Sequence, residues 1–399
     1  MLKVFEIATG YTSIPAKVGA ATEIVVENLA QELVKSSIDV SIIDLHSNNR
    51  IKSDYNIHEI KVPEFLRKTT YTLGFMHKLK RIIYSFNLAM FLRSLKVNNG
   101  TKYILHFHNQ YNYYFFEKLI SRKIKRKSKT MYTLHSYIWS QDWDSIKSTV
   151  KKKYFLEIFA LKHADRIIVL NEKAKQNIEE HIKIDKKKIV FIPNGVNSKK
   201  YCTLKNNEVV SKLIATYKPR QEKILFHVGS VCPRKNQFNT IKLLAPFLSK
   251  HNFKFIYAGG IIDPEYFAEI NNYVTEKNLD GKVVYLGEIN PGKELNYYYN
   301  LADAFIFMSE SEAFSLVVLE ALSAGLPVFL KDTLFNATLD AQQNGIVLFN
   351  EENFQTNFTK TFFHDNTLKG LSNDALNFIN KNLTWEKVAR QHISLFTKV

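Results

Sequence analysis

Short apolar runs of strand length alternate along this chain with stretches whose apolar residues recur at helical spacing. In the first half the runs are LKVFEIATG, VSIIDL, YILHFHN, TMYTLH, RIIVLN and IVFIPNG, with helices predicted over 20–35 and 172–182. The second half repeats the rhythm with ILFHVGS, a helix over 237–250, FKFIYAGG, VVYLGE, AFIFMSE, a helix over 316–324, and PVFL. Strands apolar on both faces, each followed by a helix, pack as parallel sheets covered on both sides. Residues 197–223 are polar and weakly periodic, which predicts a connection between the halves with a cleft opening beside it. Ligands of open α/β sheets sit beyond the carboxyl ends of the strands, so the loops after strands are where chemistry is sought.

A chain of 399 residues exceeds the usual size of one hydrophobic core, which points to two domains. With 45% hydrophobic residues, 13% aromatics and only 9 prolines, the composition excludes a disordered or low-complexity protein. Cys202 and Cys232 have neither metal-ligand spacing nor the makings of a disulfide framework. No apolar run approaches the ~18 residues of a membrane span, and the start lacks a basic segment followed by an apolar one, so a cytoplasmic protein is expected. The net charge of +17 is uneven: residues 1–200 carry 35 Lys and Arg against 18 Asp and Glu, leaving 20 against 20 beyond. That asymmetry suggests that the first half meets something anionic, such as a membrane surface at the inner face, an acidic acceptor or nucleic acid.

The stretch MSESEAFSLVVLEALSAGLPVF sets Glu312 and Glu320 around an apolar helix start. Ser315 can cap a helix that Gly325 and Pro327 end. Glu320 lies one turn in and leans back toward the helix start, so both carboxylates can converge on one crevice with the amides of Phe314, Ser315 and Leu316. Carboxylates that accept two hydroxyl hydrogens, beside amides that favour an anion, suit sugar hydroxyls next to a phosphate. After ILFHVG, the loop SVCPRKNQ places Arg234 and Lys235 just before another helix, which suits a diphosphate.

Together these residues resemble the retaining GT-B glycosyltransferases of glycosyltransferase family 4 over nearly the whole chain. The resemblance rests on E-x7-E at Glu312 and Glu320, on G-x5-K-N at Gly229, Lys235 and Asn236, and on IPNGVN, ADRIIVLNEKAKQNI, YTLHS and LTWEKVARQHISLF. It implies an α/β fold of two Rossmann-like domains facing a cleft: an acceptor domain over 1–197, a donor domain over 198–383, and a C-terminal helix at about 384–398 returning to the first. It implies a nucleotide-diphosphate sugar, UDP- or GDP-linked, as co-substrate, a glycan, lipid-linked or small-molecule acceptor, no cofactor and no metal. Carried over, Glu320 would bind the ribose, Glu312 the donor sugar, Lys235 the diphosphate, and the amides of Phe314, Ser315 and Leu316 the sugar or phosphates. The base would lie near Leu286 and Gly287, His135 beside the sugar, and Gly19 would let the backbone approach the donor phosphate. Ser230 stands where many members carry arginine, for which Arg234 can compensate; Ser315 replaces a frequent glycine and Asn197 a frequent aspartate.

Other signals carry less. Asp142-Trp143-Asp144 has the D-x-D form of a different, metal-dependent architecture and nothing around it fits that architecture. His106 and His108 are read as a pair lining the cleft, since no third zinc ligand is spaced for them. The absence of G-x-G-x-x-G after the first strand counts against a dinucleotide oxidoreductase. Over 75–96, Phe75, Leu79, Ile82, Phe86 and Met90 form an apolar stripe among basic residues, read as a helix burying that face in its own core, with docking on an anionic membrane as the alternative. SRKIKRKSK lacks the interleaved aromatics of a nucleic-acid site, so no nucleic-acid partner is expected. A GT-B epimerase or phosphorylase remains the rival enzyme.

Overall fold

The computed structural model describes residues 1–15, 20–48, 50, 53–67, 74–334, 344–364 and 366–398. The chain divides into two compact units, Met1–Asn194 with Trp385–Val399, and Gly195–Thr384.

The first unit is built on β1 (Leu2–Ile7), β2 (Asp39–Leu45), β3 (Asn56–Ile60), β4 (Lys102–Phe107), β5 (Ser128–Leu134), β6 (Arg166–Val169) and β7 (Ile189–Phe191). They form one sheet in the order β3-β2-β1-β4-β5-β6-β7, with every pair parallel. Val4, Ile7, Ile42, Ile104, Phe107 and Ile167 are fully buried, as strands covered by helices on both faces require. The second unit carries β8 (Lys223–Val228), β9 (Phe253–Ala258), β10 (Val283–Tyr285), β11 (Ala304–Phe307), β12 (Val328–Lys331) and β13 (Ile346–Phe349), again all parallel, in the order β10-β9-β8-β11-β12-β13. In each sheet the order reverses once, between β1 and β4 and between β8 and β11. A crevice opens at such a reversal because the helices leaving the two strands go to opposite faces.

The segment 197–223 is not the loose connection its polarity suggests. It holds the helix Glu208–Tyr217, capped by the Asn207 side chain, which accepts from the amides of Val209 and Val210. Tyr201 and Val210 are buried in the second unit, so the segment belongs to that unit. Its apolar residues Val210, Leu213 and Tyr217 share a helical face that the surrounding lysines and asparagines mask in the sequence. The last helix, Trp385–Lys398, belongs to the first unit. It packs against the helix Ala21–Lys35 with Val388, Ala389, His392 and Phe396 buried.

Candidate functional site

The loops after β8 and β11, on either side of the reversal in the second sheet, carry the charged residues. After β8 the chain runs through Gly229 and Ser230 into the single turn Pro233–Lys235, and Asn236, at φ 60°, turns it into the helix Gln237–Lys250. Asparagine tolerates that left-handed backbone better than most residues. The Asn236 side chain donates to Glu310 at 2.5 Å, and the Glu310 amide donates to the Arg234 carbonyl at 2.8 Å, which ties the two loops together.

Glu312 sits where they meet. Its Oε1 accepts from Lys235 Nζ at 2.6 Å, Arg234 Nη1 at 2.8 Å and Ser309 Oγ at 2.7 Å. Burial pushes this carboxyl up, but Lys235 and Arg234 outweigh it and hold it below the ordinary carboxylate range. Burial likewise pulls the Lys235 amine down against the attraction of Glu312. Two cations against one carboxylate leave the cluster net positive, the electrostatics an anionic ligand requires.

Glu320 has different neighbours. It is buried one turn into the helix Leu316–Ser323, and its Oε2 accepts from Tyr299 Oη at 3.0 Å. Burial raises its pKa to about 7, opposed by hydrogen bonds from Tyr299 and Tyr201 and by the charge of Lys200. The two carboxylates therefore rest on separate partners, one on cations and one on phenols. Ser315 occupies the N-cap position, but its side chain makes no capping hydrogen bond, so the cap predicted there is absent.

Three glycines lie side by side at the ends of β8, β9 and β10. The Gly229 amide donates to the Ala258 carbonyl at 2.9 Å, and the Gly259 amide to the Gly287 carbonyl at 2.8 Å. A Cβ on Gly259, whose φ is +147°, would stand 2.1 Å from the Gly229 carbonyl oxygen. Gly287, at φ +74°, has open space around its Cα, and Leu286 beside it is partly exposed. Ser230 is partly exposed and its carbonyl accepts from the Gln237 side chain at 2.9 Å. Gly19 lies outside the described residues.

The first unit gathers a second set at its own reversal. Glu6 on β1 is the register partner of His106 on β4. His106 Nδ1 lies 3.0 and 2.9 Å from the two Glu6 oxygens, and His108 Nε2 lies 2.9 Å from the second of them. His108 Nδ1 in turn lies 2.9 Å from Nε2 of His135, the residue just past β5, while His106 Nε2 meets Thr133 Oγ1 at 2.7 Å. Burial would raise the Glu6 carboxyl, but the two histidines hold it at about 2. Burial pulls His108 down to about 4 and His135 well below the usual histidine range.

This set corrects the reading of His106 and His108. Both are buried rather than lining an open surface, and the third group that local spacing did not supply is Glu6, about a hundred residues away in sequence. Ligand atoms of Glu6, His106 and His108 lie within 4.8 Å of one another. The one available signal was a carboxylate inside an otherwise apolar strand run. Tyr299 and Ser309, which hold Glu320 and Glu312, were also missed, and nothing local marks them.

Asp142 and Asp144 sit exposed at the start of the helix Trp143–Lys153, Asp144 paired with Lys147 at 3.0 Å. The helix Phe75–Ser94 overturns the expectation that its apolar stripe faces the core. The opposite face, with Lys80, Tyr84, Ser85, Leu88, Ala89 and Leu92, is the buried one. Phe75, Ile82, Phe86 and Met90 are exposed at 77%, 43%, 45% and 39%. Lys80 Nζ donates to the Tyr11 carbonyl at 2.8 Å, and the Arg81 guanidinium lies 4.8 and 4.1 Å from the ring centres of Tyr11 and Tyr111. No helix of the described residues is long and apolar enough to cross a membrane.

Residues 213–356 match the family described as Glycosyl transferases group 1, and residues 22–200 match Glycosyltransferase Family 4. A UDP-Gal:alpha-D-GlcNAc-diphosphoundecaprenol alpha-1,3-galactosyltransferase of Escherichia coli is 28% identical over 208 residues, 51% of this chain and 51% of its own length. The match thus spans about half of that relative. Among solved structures, sucrose-phosphate synthase from Thermosynechococcus elongatus superposes with a TM-score of 0.77 at 18% identity, covering 100% of this chain and 98% of that one. Anabaena HepE in complex with UDP-glucose gives 0.73 at 15% identity over 100% of both chains. These likenesses establish the GT-B fold.

Proposed function

We propose, since this chain belongs to glycosyltransferase family 4, that it moves a sugar from a nucleoside-diphosphate donor to a glycan or lipid-linked acceptor in cell-envelope glycan or glycolipid synthesis, with retention at the anomeric carbon. The observation that carries the reading is the cluster of Lys235, Arg234 and Glu312 at the reversal of the second sheet. In this reading the second unit binds the donor. Lys235 and Arg234 take the diphosphate together with the amides of Phe314, Ser315 and Leu316. Glu312, with one oxygen occupied by the cations, offers the other to sugar hydroxyls. Glu320 takes the ribose, and the base lies by Leu286 and the open side of Gly287.

The acceptor oxygen forms its bond to the anomeric carbon as the bond to the diphosphate oxygen breaks on the same face. The acceptor proton passes to the leaving diphosphate, so no carboxylate nucleophile is required. Lys235 and Arg234 stabilise the charge that develops there, worth about 3 kcal/mol per well-placed group. A UDP-linked donor is favoured by the UDP-glucose complex among the structural neighbours, and a GDP-linked one is the alternative.

The exposed stripe on the helix Phe75–Ser94 favours a peripheral contact with anionic lipid at the inner membrane face, consistent with an acceptor that carries a lipid. An apolar stripe flanked by Lys78 and Arg93 on a strongly basic unit has the form of an interfacial helix. A thermal-shift screen of UDP- and GDP-sugars tests the donor reading. A ligand at a hundred times its dissociation constant adds about 2.7 kcal/mol of stability. No shift with any nucleotide sugar overturns the reading, and release of an epimerised donor without an acceptor favours the epimerase.

A further inference from the structure

We propose that Glu6 and His108 form a proton-ordering relay that fixes His135 in the tautomer with Nε2 protonated and Nδ1 a pure acceptor. The argument is an account of donors and acceptors. An ionised carboxylate has no proton to give, so both histidines must donate to Glu6, Nδ1–H from His106 and Nε2–H from His108. Neutral His108 has spent its one proton on Glu6, and its Nδ1 can only accept. The 2.9 Å contact to His135 Nε2 then requires that His135 supply the hydrogen. Neutral His135 has thereby spent its own proton, and Nδ1 keeps a lone pair.

The surroundings favour the neutral forms at each step. Burial and the neighbouring imidazoles depress both His108 and His135, while Glu6 stays ionised at about 2. The other groups facing the relay are Thr133, which meets His106 Nε2, and His392 from the last helix, whose ring centre lies 5.7 Å from that of His106. His392 is itself pulled down to about 4 by burial, so it adds no positive charge that would compete for Glu6 near neutral pH. Glu6 lies on β1, and His108 and His135 are the first residues past the ends of the neighbouring strands β4 and β5, so the paired strands bring the three side chains together.

The consequence bears on the proposed reaction, and to that extent it rests on the glycosyltransferase reading. His135 cannot donate to a phosphate oxygen or act as a general acid. It can only accept, so a sugar group that meets Nδ1 must be a hydroxyl donating its hydrogen. Glu6 and His108 act through His135 and are positioning residues.

The test uses the free protein with 15N-labelled histidine and long-range proton–nitrogen correlation spectra, which report the protonated ring nitrogen directly. It needs no donor or acceptor, so its outcome is independent of the activity. Wild type is expected to show His135 as the Nε2–H tautomer alone between pH 6 and 8. His108→Leu removes the acceptor and is expected to give a mixture of both tautomers. In His108→Gln the amide can still donate to Glu6 and accept from His135, so the single tautomer should return, which also guards against a misfolded leucine variant. An Nδ1–H or mixed signature in wild type overturns the relay. So does a change in the His106 and His108 signals on adding zinc that chelation reverses, because the cluster would then be a metal site.

Discussion

Lys235 and Glu312 are 77 residues apart in sequence and meet at 2.6 Å, so the cation of one strand-end loop is neutralised by the carboxylate of the other. In the proposed donor site, a diphosphate would have to compete with Glu312 for Lys235 and Arg234. Under the proposed function, Glu312 would tune the affinity of the cluster as well as offering an oxygen to the sugar.

Lys235→Ala is expected to lower kcat/KM about ten- to a hundredfold, the loss of one charge-assisted hydrogen bond worth about 1.5 to 3 kcal/mol. Glu312→Gln should do the opposite to binding of a bare nucleoside diphosphate, tightening it by freeing both cations, while transfer slows. Calorimetric titration with the diphosphate and initial rates on the same preparations measure both effects. Equal diphosphate affinity in wild type and Glu312→Gln would refute the competition.

Glu320 makes stability depend on pH. Its pKa is raised by burial to about 7 from an ordinary value of 4.5, so between those two values the folded chain binds more protons than the unfolded one. The stabilisation of the protonated form is complete below pH 4.5 and is lost as pH rises through 7. Glu320→Gln keeps a neutral acceptor for Tyr299 and Tyr201, and should therefore be the more stable protein at pH 8, by on the order of 3 kcal/mol at 1.36 kcal/mol per unit. Denaturant melts at pH 4.5 and pH 8 read this out. A variant no more stable than wild type at pH 8 would show that the carboxylate is solvated in the folded state.

Chelation is expected to leave transfer intact, because the proposal assigns the charge on the leaving diphosphate to Lys235 and Arg234. Asp142→Ala should likewise be silent, since Asp142 is exposed and Asp144 is engaged with Lys147. Rates with and without EDTA, for wild type and Asp142→Ala, test both statements. Loss of activity on chelation that a divalent cation restores would return a metal to the mechanism.

The outward stripe of the helix Phe75–Ser94 should carry the chain to anionic vesicles at low salt. Substituting Ile82 and Phe86 with Glu should abolish flotation without changing the melting temperature appreciably, because both side chains are exposed. Lys78→Gln with Arg93→Gln should weaken it by about 1 kcal/mol per charge. Lys80 and Arg81 are poor probes, since one is buried and the other lies against two tyrosine rings. If the wild-type protein fails to float at any salt concentration, the stripe serves another purpose.

What could be read from the sequence follows from how far each interaction reaches. Central strands such as Ile104 within YILHFHN were visible because burial on both faces makes them uniformly apolar. The edge strand β3 was not, since a strand with one neighbour can carry residues such as His58 and Glu59, and β13 was missed although all four of its residues are apolar, because so short a run gives no period to read. Lys235 and Glu312 were legible because each follows a strand and precedes a helix. Their mutual contact was not, and neither was that of Glu6 with His106 and His108, because those contacts depend on which distant strands lie side by side, and local sequence does not carry that. The stripe at Phe75 was detected as periodic but assigned to the wrong side, since both faces of that helix carry apolar residues and periodicity does not say which one the sheet covers.

The close approach of Gly259 to Gly229 has a mechanical meaning. The Gly259 amide is bonded to Gly287, the Gly260 carbonyl to the Val231 amide, and the Tyr285 hydroxyl to the Gly259 carbonyl at 2.6 Å. The ends of β8, β9 and β10 are therefore joined largely main chain to main chain, with the Tyr285 hydroxyl as an added tie and no side chain on the glycines to serve as a cushion. Such a floor cannot yield toward a ligand by the width of a methyl group. If a nucleotide binds beside these strand ends, any tightening around it has to come from another part of the second unit, because the glycine floor has no give of its own.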